Sequence, residues 1–346
     1  MIIKAGNRAA RIFAFILAIT LLTALSPSAR ADGRELVPMG CTVGIQMRTE
    51  GVVVVGLSEV AGAEGTSSPA GEAGVMPGDV IKKLGGREIS SAAEFLEETG
   101  LCGGREMTLT VERRGVPMQF TARPRQAQDG VYKLGLWLRD SVSGIGTVTF
   151  YDPATGRYGA LGHSISDIDT GIMLPLASGN ILRSEIIGVR PGAAGTPGEL
   201  CGRFDENERL GSIEKNTAQG IFGTMEAADG FTSPVPIGHR DEIAVGPATI
   251  LSNISGTEVQ EFSVEISRVY GGDENRSLML TVTDPDLLAA TGGIVQGMSG
   301  SPILQNGRLI GAVTHVLVND PRSGYGISID SMLETDVSDT AFGYAA

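Results

Sequence analysis

From about Gly130 to the C-terminus, apolar and polar residues alternate in short runs that stop at glycine, asparagine, aspartate or proline. Residues 145–151 alternate, turn at 153–156 and resume at 158–161; further runs cover 180–189, 247–251, 258–269 and 277–282. A period of two puts successive side chains on opposite faces, as in half-buried strands. The last pair, 303–305 and 309–313, is joined by Asn306-Gly307, a dipeptide that readily supplies the two positive φ angles of a tight hairpin. Many short strands with glycine-rich turns predict a mainly β region, a barrel pair or a sandwich, over residues 130–346.

Residues 38–124 read differently. A strand at 51–56 is followed by a loop rich in Gly, Ala and Ser, a short helix, and a hairpin formed by 107–113 and 117–121. Ser91 with Glu94 three positions on makes a capping box, and Ala92, Phe95 and Leu96 fall on one apolar helix face. This is a small α+β domain preceding the β-rich one. Residues 1–31 are a third kind of segment, in which Lys4, Arg8 and Arg11 precede an apolar run from Ile12 to Leu25 and Ala29-Arg30-Ala31 offers a small-residue cleavage site. That is an export signal. The run is shorter than the ~20 residues that span a bilayer comfortably, so cleavage is favoured and an uncleaved N-terminal membrane anchor is the alternative.

Composition narrows the function. The chain has 346 residues, 49 of them glycine, and its 40 acidic against 27 basic side chains give a net charge of -13. Such a charge repels phosphate backbones, so nucleic-acid partners are set aside. Cys41, Cys102 and Cys201 are odd in number and far apart, which argues for small buried side chains over a disulfide framework.

The candidate chemistry centres on Gly297-Met298-Ser299-Gly300-Ser301. Glycines on both sides of a serine let the backbone turn sharply, leaving the amides of Gly297 and Ser299 as donors for the oxyanion of acyl transfer. A hydrolase elbow of the form G-x-S-x-G would need glycine where Ser301 stands. Serine needs a base, and the histidines are His163, His239 and His315. His163, just after a strand in a Gly-His-Ser loop, is preferred, with His315 second. Asp167, Asp169, Asp284 and Asp320 are candidates to orient the imidazole. Asp284, at a strand end shortly before the serine, is taken for that role. No H-E-x-x-H pattern occurs, and His163 with Asp167 and Asp169 is at most a partial ligand set, so neither a metal nor another cofactor is expected.

Two resemblances extend this reading. Ala73-Gly74-Val75, Pro77-Gly78-Asp79-Val80-Ile81 and Gly85-Gly86-Arg87-Glu88-Ile89 resemble a PDZ domain of bacterial exported proteases. That implies Val43-Gly44-Ile45 as the loop receiving a peptide carboxylate, with a helix over 92–98 as the opposite wall and the peptide added as an extra strand. The second resemblance rests on Gly162-His163-Ser164-Ile165-Ser166-Asp167, Pro197-Gly198-Glu199, Asn216-Thr217 with Gly220-Ile221-Phe222-Gly223, Thr283-Asp284-Pro285, the Thr291–Pro302 loop, and Gly311-Ala312-Val313-Thr314-His315. These motifs look like the stage IV sporulation protein B peptidase family. The resemblance implies a chymotrypsin-like double β-barrel with His163, Asp284 and Ser299 as catalytic triad.

It also implies an enzyme exported into the space between the inner and outer forespore membranes. There it would cleave itself and a membrane-bound regulator, activating an intramembrane protease that processes a sigma-factor precursor during endospore formation. The chain departs from the family pattern after about Met332 and in the insert at residues 60–73. The alternative is a catalytically degenerate PDZ scaffold that binds protein termini, against which all three residue types of the triad are present.

Overall fold

Two six-stranded barrels carry the chain. The computed structural model describes residues 33–63, 65–226, 233–271 and 276–338, and the leader expected at 1–31 lies outside the described residues. Strands β1 (Glu35–Pro38) and β2 (Thr42–Leu57) come first; then β3 (Val80–Leu84), α1 (Ala92–Gly100), β4 (Met107–Arg113) and β5 (Val116–Ala122) build a small lobe. The long β6 (Leu136–Asp152) returns to the barrel and is followed by β7 (Arg157–Ala160), β8 (Leu176–Arg190), β9 (Glu199–Thr217) and β10 (Gly220–Met225). Pairing runs β2 to β6, β7, β10, β9, β8 and back to β2, which closes the first barrel. Its interior is filled by Val43, Val148, Tyr158, Ala160, Ile181 and Ile221, all fully buried.

The second barrel follows with β11 (Gly246–Ser252), β12 (Gln260–Val269), β13 (Leu278–Val282), helix α2 (Pro285–Thr291), β14 (Pro302–Gln305), β15 (Arg308–Leu317), β16 (Asp320–Ser328) and helix α3 (Ile329–Ser338). Its six strands close in the order β11-β12-β13-β16-β15-β14 around Ile250, Ile266, Leu278, Leu280, Ile303 and Val313. The hairpin at Asn306-Gly307 forms as the dipeptide dictates, with φ of 52° and 74°. The fold is mainly β, a chymotrypsin-like double barrel with a small α+β lobe.

That lobe is smaller than residues 38–124. Only the outer half of β2 enters it, where Val52 and Val53 pair with Ile81 and Val80. Val43, Gly44 and Ile45 pair instead with β6 on one side and β8 on the other, inside the first barrel. A Cβ on Gly44 would stand 2.3 Å from the Phe204 ring. Hydrogen-bonded on both edges and packed on the core, these residues cannot form the carboxylate-receiving loop assigned to them. The first barrel therefore starts with β2 at Thr42 and not at 130, and the lobe is an insertion between two strands, β2 and β6, that both run on from that barrel.

Local signals inside the lobe behave as the sequence suggests. Ser91 caps α1 by accepting the Glu94 N–H at 3.1 Å, while the Glu94 carboxylate accepts from Ser90. Phe95 is buried, but Leu96 on the supposed apolar face is 57% exposed. In the Pro77-Gly78-Asp79 turn the buried Asp79 carboxylate is held by Arg113, Nε to Oδ1 at 2.6 Å, and by the Met76 N–H. All three cysteines are free thiols, and burial pushes the Cys41 thiol up to about 12.

Candidate active site

The two barrels contribute opposite halves of one cleft. β7 ends at Ala160, and Leu161 and Gly162, both at φ 70°, swing the chain through the left-handed region before His163. For leucine that backbone is costly, on the order of 1 kcal/mol or more, and is tolerated where packing demands it. Here Gly162 meets Thr314, Ile327 and Ala312 of the second barrel so closely that an added Cβ would lie 2.8 Å from Thr314 Cγ2. The Ser299 loop, between α2 and β14, is held from the other side. Thr147 of β6 donates its hydroxyl to the Gly297 carbonyl at 2.7 Å and its N–H to the Ser299 carbonyl at 3.1 Å.

Gly297 and Gly300 adopt φ of 98° and 99°, which the flanking glycines had suggested. The Gln296 carbonyl accepts from Leu200, and the Met298 carbonyl accepts from Ser301. In a planar trans peptide the following N–H points the opposite way. The N–H groups of Gly297 and Ser299 are thus directed away from these partners, and among the described residues neither has an acceptor. An unpaired N–H pair flanking a serine is what an oxyanion would need.

Ser299, His163 and His315 line the same cleft of about 960 Å³. The Ser299 hydroxyl donates to the Thr314 carbonyl at 2.6 Å, so it must rotate off that oxygen to reach a base. His163 Nδ1 lies 2.9 Å from the Ser164 carbonyl. Because a carbonyl oxygen only accepts, Nδ1 carries the proton and Nε2 keeps its lone pair, the tautomer a general base requires. The His315 ring sits 4.9 Å from that of His163, tilted by 40°, and makes no hydrogen bond among the described residues. Burial, then the neighbouring His163 and Arg276, lower His315 to about 4. The His163 ring, held by a hydrogen bond, is the better oriented of the two, which favours it as base.

Asp284 is not behind either ring. It is the N-cap of α2, accepting from Asp286 and Leu287, each at 3.0 Å, and from the Ser263 N–H at 3.2 Å. Burial raises its pKa, but the Leu287, Ser263 and Asp286 amides outweigh that and hold the carboxylate below its ordinary value. The assignment as imidazole orienter is therefore corrected: its acceptor contacts go to the first turn of α2 and to the Ser263 amide of β12, and none goes to a histidine. The signal was present, since aspartate followed by proline at the first helical position and then Leu287-Leu288-Ala289-Ala290 marks a helix N-terminus. Asp167 accepts from Thr170 and pairs with Arg139, which also holds Asp169 at 2.9 Å, so both are loop anchors. His239 pairs with Asp330 at 3.0 Å, away from the cleft. Sequence reasoning missed Thr147, which fastens the Ser299 loop, and the Ser164 carbonyl, which lies against His163 Nδ1.

Comparison with known proteins bears on this arrangement. The family model described as SpoIVB peptidase S55 matches residues 130–333, a span that includes His163, Ser299 and the whole second barrel. The chain belongs to the SpoIVB peptidase family. As a SpoIVB-family member it is a serine peptidase. No curated protein matches it significantly. Among solved structures, the active form of the Rv3671c protease from M. tuberculosis is 13% identical, with a TM-score of 0.34 over 60% of this chain and 77% of that one. Deg5 is 16% identical, with a TM-score of 0.33 over 59% and 85%. The HtrA-type protease AlgW S227A with a decapeptide is 11% identical, with a TM-score of 0.34 over 88% and 65%.

The pH dependence of this SpoIVB-family peptidase follows from burial. Burial lowers the His163 pKa, and the bond to the Ser164 carbonyl only partly restores it. A base must be neutral, so activity survives until pH falls through that lowered value. The acid limb of log kcat/KM should lie below the ordinary imidazole value of about 6.5. The same depression makes stability fall as pH drops below the unfolded-state value. A pH–rate profile of kcat/KM checks this, and a limb at or above that ordinary value would contradict it.

Proposed function

We propose that this protein is an exported serine endopeptidase that cleaves itself and a membrane-associated regulator, thereby activating intramembrane proteolysis of a sigma-factor precursor during endospore formation. Ser299 acts as nucleophile, His163 as base and the amides of Gly297 and Ser299 as oxyanion donors. The observation that carries the reading is the opposition of His163 and Ser299 across one cleft, with those two amides left unpaired. Family membership and the export-type leader support the setting, between the two forespore membranes.

The lobe is assigned the PDZ role of capturing protein termini. Its groove is lined by Phe95, Leu96 and Thr99 of α1 and by Leu134, Gly135 and Leu136 at the start of β6, in place of Val43–Ile45. One experiment tests both parts. The full-length Ser299→Ala chain, unable to cut itself, is offered to the wild type as substrate, alone and in a sporulating host with the regulator present. Cleavage in trans, weakened several-fold when the cutting enzyme carries Leu96→Asp, is the expected result. An uncut substrate rejects the self-cleaving peptidase, and equal cutting by the Leu96 variant rejects the groove.

A further inference from the structure

The chain carries a net charge of -13, yet the charged side chains lining the cleft are Arg139 and Arg276, with no aspartate or glutamate among its described walls. An acidic protein that keeps carboxylates out of its cleft presents a locally positive site. The two arginines are not equivalent. Arg139 is committed to Asp167 and Asp169. Arg276 forms no ion pair among the described residues; its guanidinium carbon lies 4.9 Å from the centroid of the Tyr325 ring.

Tyr325 fixes where that cation stands. It is the cross-strand partner of His315, in the register that joins β15 to β16, so the two side chains share a face. Arg276 on the tyrosine therefore flanks His315 and Val316, the strand wall next to Ser299, and its field helps keep the His315 ring neutral. The remaining walls there, Ile294, Val295 and Val316, are apolar.

Resting on the serine-peptidase reading above, we infer that Arg276 is a specificity-determining residue that selects peptides bearing an aspartate or glutamate side chain beside the scissile bond. A planar guanidinium stacked on an aromatic ring is already oriented and only weakly hydrated, so a substrate carboxylate can form two parallel N–H···O bonds with it. An isosteric amide offers a single neutral acceptor, and a lysine is repelled. Selection thus arises from attraction of one class and exclusion of another.

The test uses the full chain and peptides identical except for Glu, Gln or Lys walked through the positions flanking the cut. The wild type should prefer Glu over Gln by roughly tenfold or more in kcat/KM at one position, and Lys there should be the poorest. In Arg276→Met the Glu-to-Gln ratio should fall close to one, and in Arg276→Glu the order should invert in favour of Lys, a result that loss of packing alone would not give. Thermal melts of both variants confirm folding. No acidic preference in the wild type, or one that survives charge reversal, overturns the proposal while leaving the peptidase intact. Failure of the wild type both to cut and to accept a fluorophosphonate removes the peptidase reading and this inference together.

Discussion

His163→Ala lowers kcat for peptide hydrolysis by roughly 10⁴- to 10⁶-fold, while Asp284→Asn falls far short of the ~10⁴-fold loss typical of a triad acid. The first expectation follows from the weakness of a neutral serine hydroxyl as a nucleophile, since His163 Nε2 is the one ring nitrogen in the cleft whose lone pair is secured by a bond on the other side of the ring. The second follows from where the carboxylate is spent. Asp284 binds three backbone amides at the start of α2 and β12, and losing such a cap costs about 1 kcal/mol of stability, up to about 2. Steady-state kinetics with thermal denaturation separate the two effects. Equal damage by both substitutions would mean that Asp284 reaches the imidazole in the working enzyme. A backbone carbonyl also predicts a slower peptidase than a carboxylate would give, because it orients the ring but does not neutralise the imidazolium.

Gly300→Ala is expected to destabilise the chain by at least about 2 kcal/mol and to abolish activity. An added Cβ would lie 2.0 Å from the Thr147 carbonyl oxygen and 2.6 Å from the Leu161 amide, both backbone atoms, and the residue sits at φ 99°. The three segments pressed together here are the Ser299 loop, the β6 residue that fastens it, and the turn that presents His163. Gly307→Ala is the control, since its φ of 74° is unfavourable but nothing lies within 4 Å of the added atom. That change should cost about 1 kcal/mol and leave activity in place. Denaturant titrations compare the two. Similar losses at both positions would show that the close packing around Gly300 is not what excludes a side chain.

The strands of both barrels were legible because alternation and turn residues act locally. The run at 145–151 falls within β6, that at 258–269 overlaps β12 (Gln260–Val269), and the Asn306-Gly307 hairpin sits where the dipeptide places it. What stayed hidden depends on pairing between distant segments. Nothing local says that β2 continues from one barrel into a lobe, and a short apolar stretch around Val43 reads equally as loop or as doubly paired strand. The helices α2 and α3 were obscured by the assumption that everything after Gly130 is strand, although Asp284-Pro285 announced the first of them. In the site, the sharp turn of the Ser299 loop was legible from its glycines, and the histidines that line the cleft were narrowed by there being so few of them. The orienting group was not, because a backbone carbonyl leaves no mark on the residue type that supplies it. A carboxylate in a familiar motif drew the role to itself.

The measurement that bears most directly on the account is covalent labelling of the full-length wild type with a fluorophosphonate, followed by mass mapping of the modified peptide. A single adduct on Ser299, absent in Ser299→Ala and retained in Asp284→Asn, is predicted. Ser301 should stay unmodified, since it is fully buried with its hydroxyl donated to Ser252. An adduct on any other serine, or no adduct from a preparation that hydrolyses peptides, would contradict the assignment of Ser299 as the nucleophile.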